Sequence, residues 1–127
     1  MKEKALLIIE DEHFISELYS RALKKAGYNV TIMMSGEDGL KAALNRQFDL
    51  ILLDILVPGL SGMDVLEKIR TNDSTTGKHS KIIITTNLEQ DEKTREKLER
   101  IADGYLIKAD MTPNELVKIV DDFFGKR

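Results

Sequence analysis

Three acidic residues and one lysine follow apolar runs in this chain. Glu10 and Asp11 close the run Ala5-Leu6-Leu7-Ile8-Ile9, Asp54 closes Leu50-Ile51-Leu52-Leu53, and Lys108 closes Gly104-Tyr105-Leu106-Ile107. If those runs are parallel strands of one sheet, all four charges meet at its carboxyl edge, where open α/β sheets bind ligands. Crowded carboxylates repel one another, and a divalent cation or a proton relieves the repulsion. A nearby lysine neutralises an incoming phosphate, and a carboxylate held at a loop mouth can attack phosphorus to form an acyl phosphate. The set reads as a magnesium-dependent phosphoryl site. Taken singly, each residue has a plainer role: Asp54 as a turn acid, Glu10 and Asp11 as acids at a helix start, Lys108 as a surface lysine. Their joint appearance at successive strand ends favours the chemistry.

The elements that must position them alternate. Apolar runs bounded by turn residues are followed by helix-period segments five times, the rhythm of a parallel sheet with crossover helices. Strands are predicted at about Ala5–Glu10, Asn29–Met33, Leu50–Asp54, Lys81–Thr86 and Gly104–Ile107. The third is the most apolar, as a central strand buried on both faces should be. Helices are predicted at His13–Ala26 with Gly27 as its stop, from a Ser35 cap to Asn45, at Met63–Arg70, at Gln90–Ile101, and from a Thr112 cap onward. Thr112, Pro113 and Glu115 form a capping-box signature. The last helix carries a wide apolar stripe, Leu116, Val117, Ile119, Val120, Phe123 and Phe124, expected to be buried. The polar stretch Thr71–Ser80 is expected to be a loop. From Glu89 to Arg100, nine of twelve residues are charged. A helix there has few core anchors, Leu98 and Ile101, and leans on pairs such as Glu89–Lys93, Asp91–Arg95 and Glu96–Arg100.

Bulk properties fit one domain over residues 1–127. The chain is 42% hydrophobic and 32% charged, with no cysteine and a net charge of −3. The absence of cysteine excludes a disulfide framework and thiolate metal sites. The mild acidity argues against a nucleic-acid surface. No apolar run is long enough for a signal-peptide core or a membrane span, so a cytoplasmic protein with no membrane partner is expected.

The ordered set of motifs resembles the receiver domain of two-component response regulators, from end to end. The residues that carry the resemblance are Leu7-Ile8-Ile9-Glu10-Asp11-Glu12, then Asp49 to Asp54 with Pro58 and Gly62, then Thr86, then Tyr105-Leu106-Ile107-Lys108. The resemblance implies an α/β, doubly wound, five-stranded parallel sheet of order 2-1-3-4-5, the flavodoxin-like fold. It implies a phosphorylation-dependent signalling switch rather than an enzyme acting on other substrates. Asp54 is the implied phosphoacceptor, charged by a sensor histidine kinase or a phosphotransfer protein. Glu10, Asp11 and Asp54, with the backbone carbonyl of Leu56, are the implied Mg²⁺ ligands. Lys108 is the implied cation at the phosphate, Thr86 the switch hydroxyl and Tyr105 the aromatic switch residue. Adjacent strand residues face opposite ways, so only one of Thr85 and Thr86 points into the site; the family's spacing to Lys108 selects Thr86. The implied partner surface is the fourth helix, fifth strand and fifth helix, contacting a downstream protein or output domain, with a phosphorylation-dependent homodimer as one form.

Three residues depart from the family pattern. Ala109 stands where proline is usual after Lys108, Asn87 where a small residue is usual after Thr86, and Leu56 where a polar side chain is common. Leu56 cannot steer an attacking water, so slow hydrolysis of the acyl phosphate is expected. The alternatives are a pseudo-receiver that binds partners without phosphorylation, a phosphatase of the haloacid dehalogenase type, and a flavin or dinucleotide binder. Leu56 stands where such a phosphatase needs a second acid, and no Gly-x-Gly-x-x-Gly follows any strand. Intact Asp54, Asp11 and Lys108 oppose the pseudo-receiver.

Overall fold

The computed structural model describes residues 3–76, 79–87 and 90–125, residues 74–76 by their backbone only. Five strands, β1 (Ala5–Ile9), β2 (Asn29–Met33), β3 (Leu50–Asp54), β4 (Lys81–Thr86) and β5 (Gly104–Ile107), alternate with helices α1 (His13–Lys25), α2 (Gly36–Asn45), α3 (Gly62–Thr76), α4 (Glu92–Ile101) and α5 (Pro113–Phe123). All neighbouring strands pair in parallel, in the order β2-β1-β3-β4-β5. The expected sheet order is therefore the observed one.

Side-chain alternation divides the core in two. Leu7, Ile9, Ile51, Leu53, Ile82 and Ile84 pack on the face covered by α2, α3 and α4. Leu6, Ile8, Leu50, Leu52 and Ile83 pack on the opposite face with Tyr19 and Leu23 of α1 and Leu116 and Val120 of α5. β3 is buried at every position, as its unbroken apolar run requires. The stripe of α5 is spent inward: Val117, Ile119, Phe123 and Phe124 also pack against the α1 and α5 core. The Tyr28 hydroxyl donates to Asp121, tying α5 to the turn before β2.

Two helix boundaries differ from expectation. α3 runs on to Thr76 where a loop from Thr71 was predicted. The added turns lack an apolar stripe and join the fold through Asp73, which pairs with the anchored Arg70. Arg70 donates to the carbonyls of Ile101 (2.9 Å) and Ser80 (2.8 Å) and to the carboxylates of Asp73 (3.0 Å) and Asp103 (2.7 Å), and Thr71 Oγ1 bonds back to the Glu67 carbonyl. α4 begins at Glu92, not Gln90, because Asp91 is its cap, accepting from the Thr94 amide at 2.8 Å. Only Leu98 of α4 is buried. Its cohesion comes from Arg95–Glu99 at 2.6 Å and from Lys97–Glu67 at 3.5 Å. Glu89 and its expected pair with Lys93 lie outside the described residues.

The loop after β3 is shaped by backbone contacts. Gly59 has φ +80°, and Gly62 donates to the Ile55 carbonyl at 3.0 Å. A β-carbon at Gly62 would stand 2.5 Å from the Ile55 α-carbon, so only glycine lets this loop close beneath Asp54.

Candidate phosphoryl site

The sheet order brings the ends of β1, β3 and β5 to one place. Lys108 Nζ donates to Glu10 Oε1 at 2.7 Å and to Asp54 Oδ2 at 3.1 Å. All three side chains are buried, with relative exposures of 3%, 2% and 5%. Asp11 is exposed at the rim, and one carboxylate oxygen from each of Glu10, Asp11 and Asp54 fits within 4.8 Å of the others. Such a set of hard oxygen donors suits Mg²⁺.

Each residue is fixed by its local structure. The Glu10 amide continues the β1–β2 ladder by donating to the Met33 carbonyl at 3.0 Å. The second Glu10 oxygen accepts from the Glu12 amide at 3.1 Å. Neither Glu10 nor Asp11 is the α1 cap; that position is Glu12, whose side chain makes no cap bond. Asp54 Oδ1 accepts the Leu56 amide at 3.0 Å, while the Leu56 side chain is 63% exposed. Lys108 opens a short 3-10 turn over Lys108–Asp110. The described chain contains no cis peptide, so Ala109 follows Lys108 in trans.

Burial dominates the electrostatics. It pushes Glu10 up to about 7, against the lowering effect of the Lys108 bond and the Glu12 amide. Burial alone would lower Lys108, but its bonds to Glu10 and Asp54 outweigh that and hold it above the ordinary lysine value. The buried Tyr19 phenol is also raised, first by burial, with the charges of Lys108, Glu10 and Asp54 acting on it. Tyr19 thus lies within the field of the site.

The two threonines divide between the faces. Thr85 is the register partner of Asp54 and lies, by alternation from Ile83, on the same side of the sheet. Thr86 lies on the α3 and α4 side with Tyr105, wholly buried, its hydroxyl accepting from Gln90 Nε2 at 3.4 Å. The Tyr105 hydroxyl accepts the Gln90 amide at 3.0 Å, and the Arg95 guanidinium sits 4.7 Å over its ring. Lys108, Asp54, Glu10 and Asp11 are therefore brought together, while Thr86 and Tyr105 form an adjoining group linked through Gln90. Two further residues join the site that the strand-end pattern does not reveal. Glu12 Oε1 lies 3.9 Å from Lys108 Nζ and accepts Asn87 Nδ2 at 2.9 Å.

The profile of the response regulator receiver domain matches residues 6–121. The chain belongs to the response regulator receiver family. Among its relatives is the response regulator ArlR of Staphylococcus aureus, 36% identical over 103 residues, which make up 81% of this chain and 45% of that protein. The uncharacterized transcriptional regulatory protein YkoG of Bacillus subtilis is 43% identical over 76 residues, 60% of this chain and 33% of YkoG. The chain thus spans less than half the length of these curated relatives. Among solved structures, the CheY-like receiver domain protein of Methanospirillum hungatei superposes with a TM-score of 0.85 at 27% identity, covering 98% of this chain and 95% of the other. Receiver domains are signalling modules of two-component systems, and phosphorylation and Mg²⁺ are typical of them. Among the described residues, no helix is long and apolar enough to cross a membrane.

Proposed function

We propose that this receiver domain accepts a phosphoryl group on Asp54 from a phosphohistidine of a sensor kinase or phosphotransfer protein, and that phosphorylation changes the surface of α4, β5 and α5. The observation that carries the reading is the buried ammonium of Lys108 bonded to both Asp54 and Glu10, with Asp11 at the rim. Asp54 is the nucleophile; one of its oxygens accepts the Leu56 amide and the other accepts from Lys108. Lys108 pairs with the carboxylate before transfer and with the phosphoryl oxygens after it. Glu10, Asp11, Asp54 and the Leu56 carbonyl would hold Mg²⁺, which supplies charge neutralisation for the transferring group. Thr86 and Tyr105, joined through Gln90, couple the site to α4, which has one buried anchor and is the element most easily shifted. A downstream protein, an output domain or a second copy reads that shift. The role is cytoplasmic, within one domain over residues 1–127.

Intact-protein mass spectrometry tests the reading. Incubation with acetyl phosphate and Mg²⁺ should add one phosphoryl group, and a chelator should prevent it. The adduct should persist for minutes, since the apolar, solvent-facing Leu56 has no group to direct water. A folded, Mg²⁺-binding protein that takes up no phosphoryl group even from a kinase phosphohistidine would favour the pseudo-receiver reading. A half-life of seconds would remove the role given to Leu56.

Metal binding should depend on pH. Glu10 titrates at about 7 in the folded protein, so below that value a proton must leave before the carboxylate can serve as a ligand. The sign is fixed: affinity falls as pH falls. Calorimetry should show Mg²⁺ binding about tenfold weaker at pH 6 than at pH 8. Equal affinity at both would mean that Glu10 releases no proton on binding the metal over this range.

A further inference from the structure

Glu12 lies outside the acidic triad, yet it faces the same lysine. Its Oε1 is 3.9 Å from Lys108 Nζ, and the lysine already serves Glu10 and Asp54. That same Glu12 oxygen accepts Asn87 Nδ2 at 2.9 Å, a bond between residues 75 positions apart in the chain. It joins the segment after β1 to the segment after β4. The Glu12 side chain is 46% exposed. Without a tether, an ionised carboxylate there gains hydration by turning outward. Asn87 has both the reach and the donor to hold it in place.

We propose that Asn87 is a positioning residue that acts through Glu12: it holds a further carboxylate beside Lys108 and so slows the arrival of a phosphoryl group at Asp54. The inference rests on Asp54 being the acceptor. Two effects act in the same direction. Glu12 repels an anionic donor at the mouth of the site, and it competes for the lysine that the phosphoryl oxygens need.

The test is the initial rate of acetyl phosphate-driven phosphorylation with Mg²⁺, followed by intact mass. It compares wild type, Asn87→Ala, Glu12→Gln and the double variant, with Asp54→Asn as the blank. Both positions are exposed, and thermal melts verify that each variant is folded. Each single variant should react roughly threefold to fivefold faster, the scale of a partly exposed charge interaction. The double variant should be no faster than the faster single, because both changes remove one contact. Added salt should accelerate the wild type more than Glu12→Gln, because screening already weakens the repulsion that the variant lacks. Unchanged rates in both singles, or a double effect equal to the product of the single effects, would overturn the proposal. A wild type with no Asp54-dependent adduct would defeat the phosphoacceptor reading instead and take this inference with it.

Discussion

Replacing Asp54 with asparagine will abolish the phosphoryl adduct while leaving the fold intact and, without metal, more stable. The amide keeps the acceptor that receives the Leu56 amide, so the loop after β3 stays closed. It removes one of two buried carboxylates that share a single lysine. The Asp54 charge is one of the influences that raise Glu10, after burial itself. Its loss lets Glu10 ionise more readily beside Lys108, and the gain should be on the order of 1 kcal/mol in urea melts at neutral pH. Mg²⁺ affinity should fall at least roughly tenfold with one ligand gone. Phosphorylation persisting in Asp54→Asn would move the acceptor elsewhere. A stability loss would mean that Asp54, not Glu10, is the carboxylate that Lys108 chiefly stabilises.

Much of the fold was legible because its signals are local. Five apolar runs ending in turn residues are short-range features, and the buried β3 shows as an unbroken Leu-Ile-Leu-Leu run. The cap of α5 was written in Thr112, Pro113 and Glu115, and the reciprocal capping box is present. What escaped was written in tertiary contacts. The last turns of α3 have no apolar stripe to reveal them; they are held by Arg70, whose partners Ser80, Ile101 and Asp103 lie 10, 31 and 33 residues away. Likewise the start of α4 depended on which of two neighbouring polar residues caps it, and Asp91 does so through the Thr94 amide.

The candidate site divides along the same line. Strand ends are readable, so the sequence alone places Glu10, Asp11, Asp54 and Lys108 together. Partners outside that pattern are not. Glu12 reads as the residue before a helix, and its bond to Asn87 depends on how two loops meet across the sheet edge. Tyr19 carries no sequence signal of its own, and only the folded sheet brings it near the charges. Thr85 and Thr86 show the limit of alternation: it says that they point apart, and only the register of β3 with β4 says which one shares a face with Asp54.

Removing the lysine is the most damaging single change expected at this site. Lys108→Ala leaves Glu10 and Asp54 buried without a counter-charge, and breaking a buried ion pair from one side costs about 3–5 kcal/mol. The cost must depend on pH. The Lys108 bond is the leading influence that lowers Glu10 against burial, so its loss sends Glu10 above its present value of about 7. A carboxyl raised in the folded state keeps a proton that the unfolded chain releases. Its stability contribution is therefore present at low pH and lost as pH climbs through the folded value. Thermal melts should accordingly show a smaller deficit at pH 6 than at pH 8. Mg²⁺ should restore part of the deficit at pH 8, because a divalent cation among the same carboxylates replaces the missing charge. It should not restore the chemistry: phosphoryl transfer from acetyl phosphate should remain slower by about 10²–10³-fold, the loss expected when a positioned donor to the developing charge is removed. If Mg²⁺ repaired stability and rate together, Lys108 would act only as a counter-ion, and the role of binding the phosphoryl oxygens would pass to the metal alone.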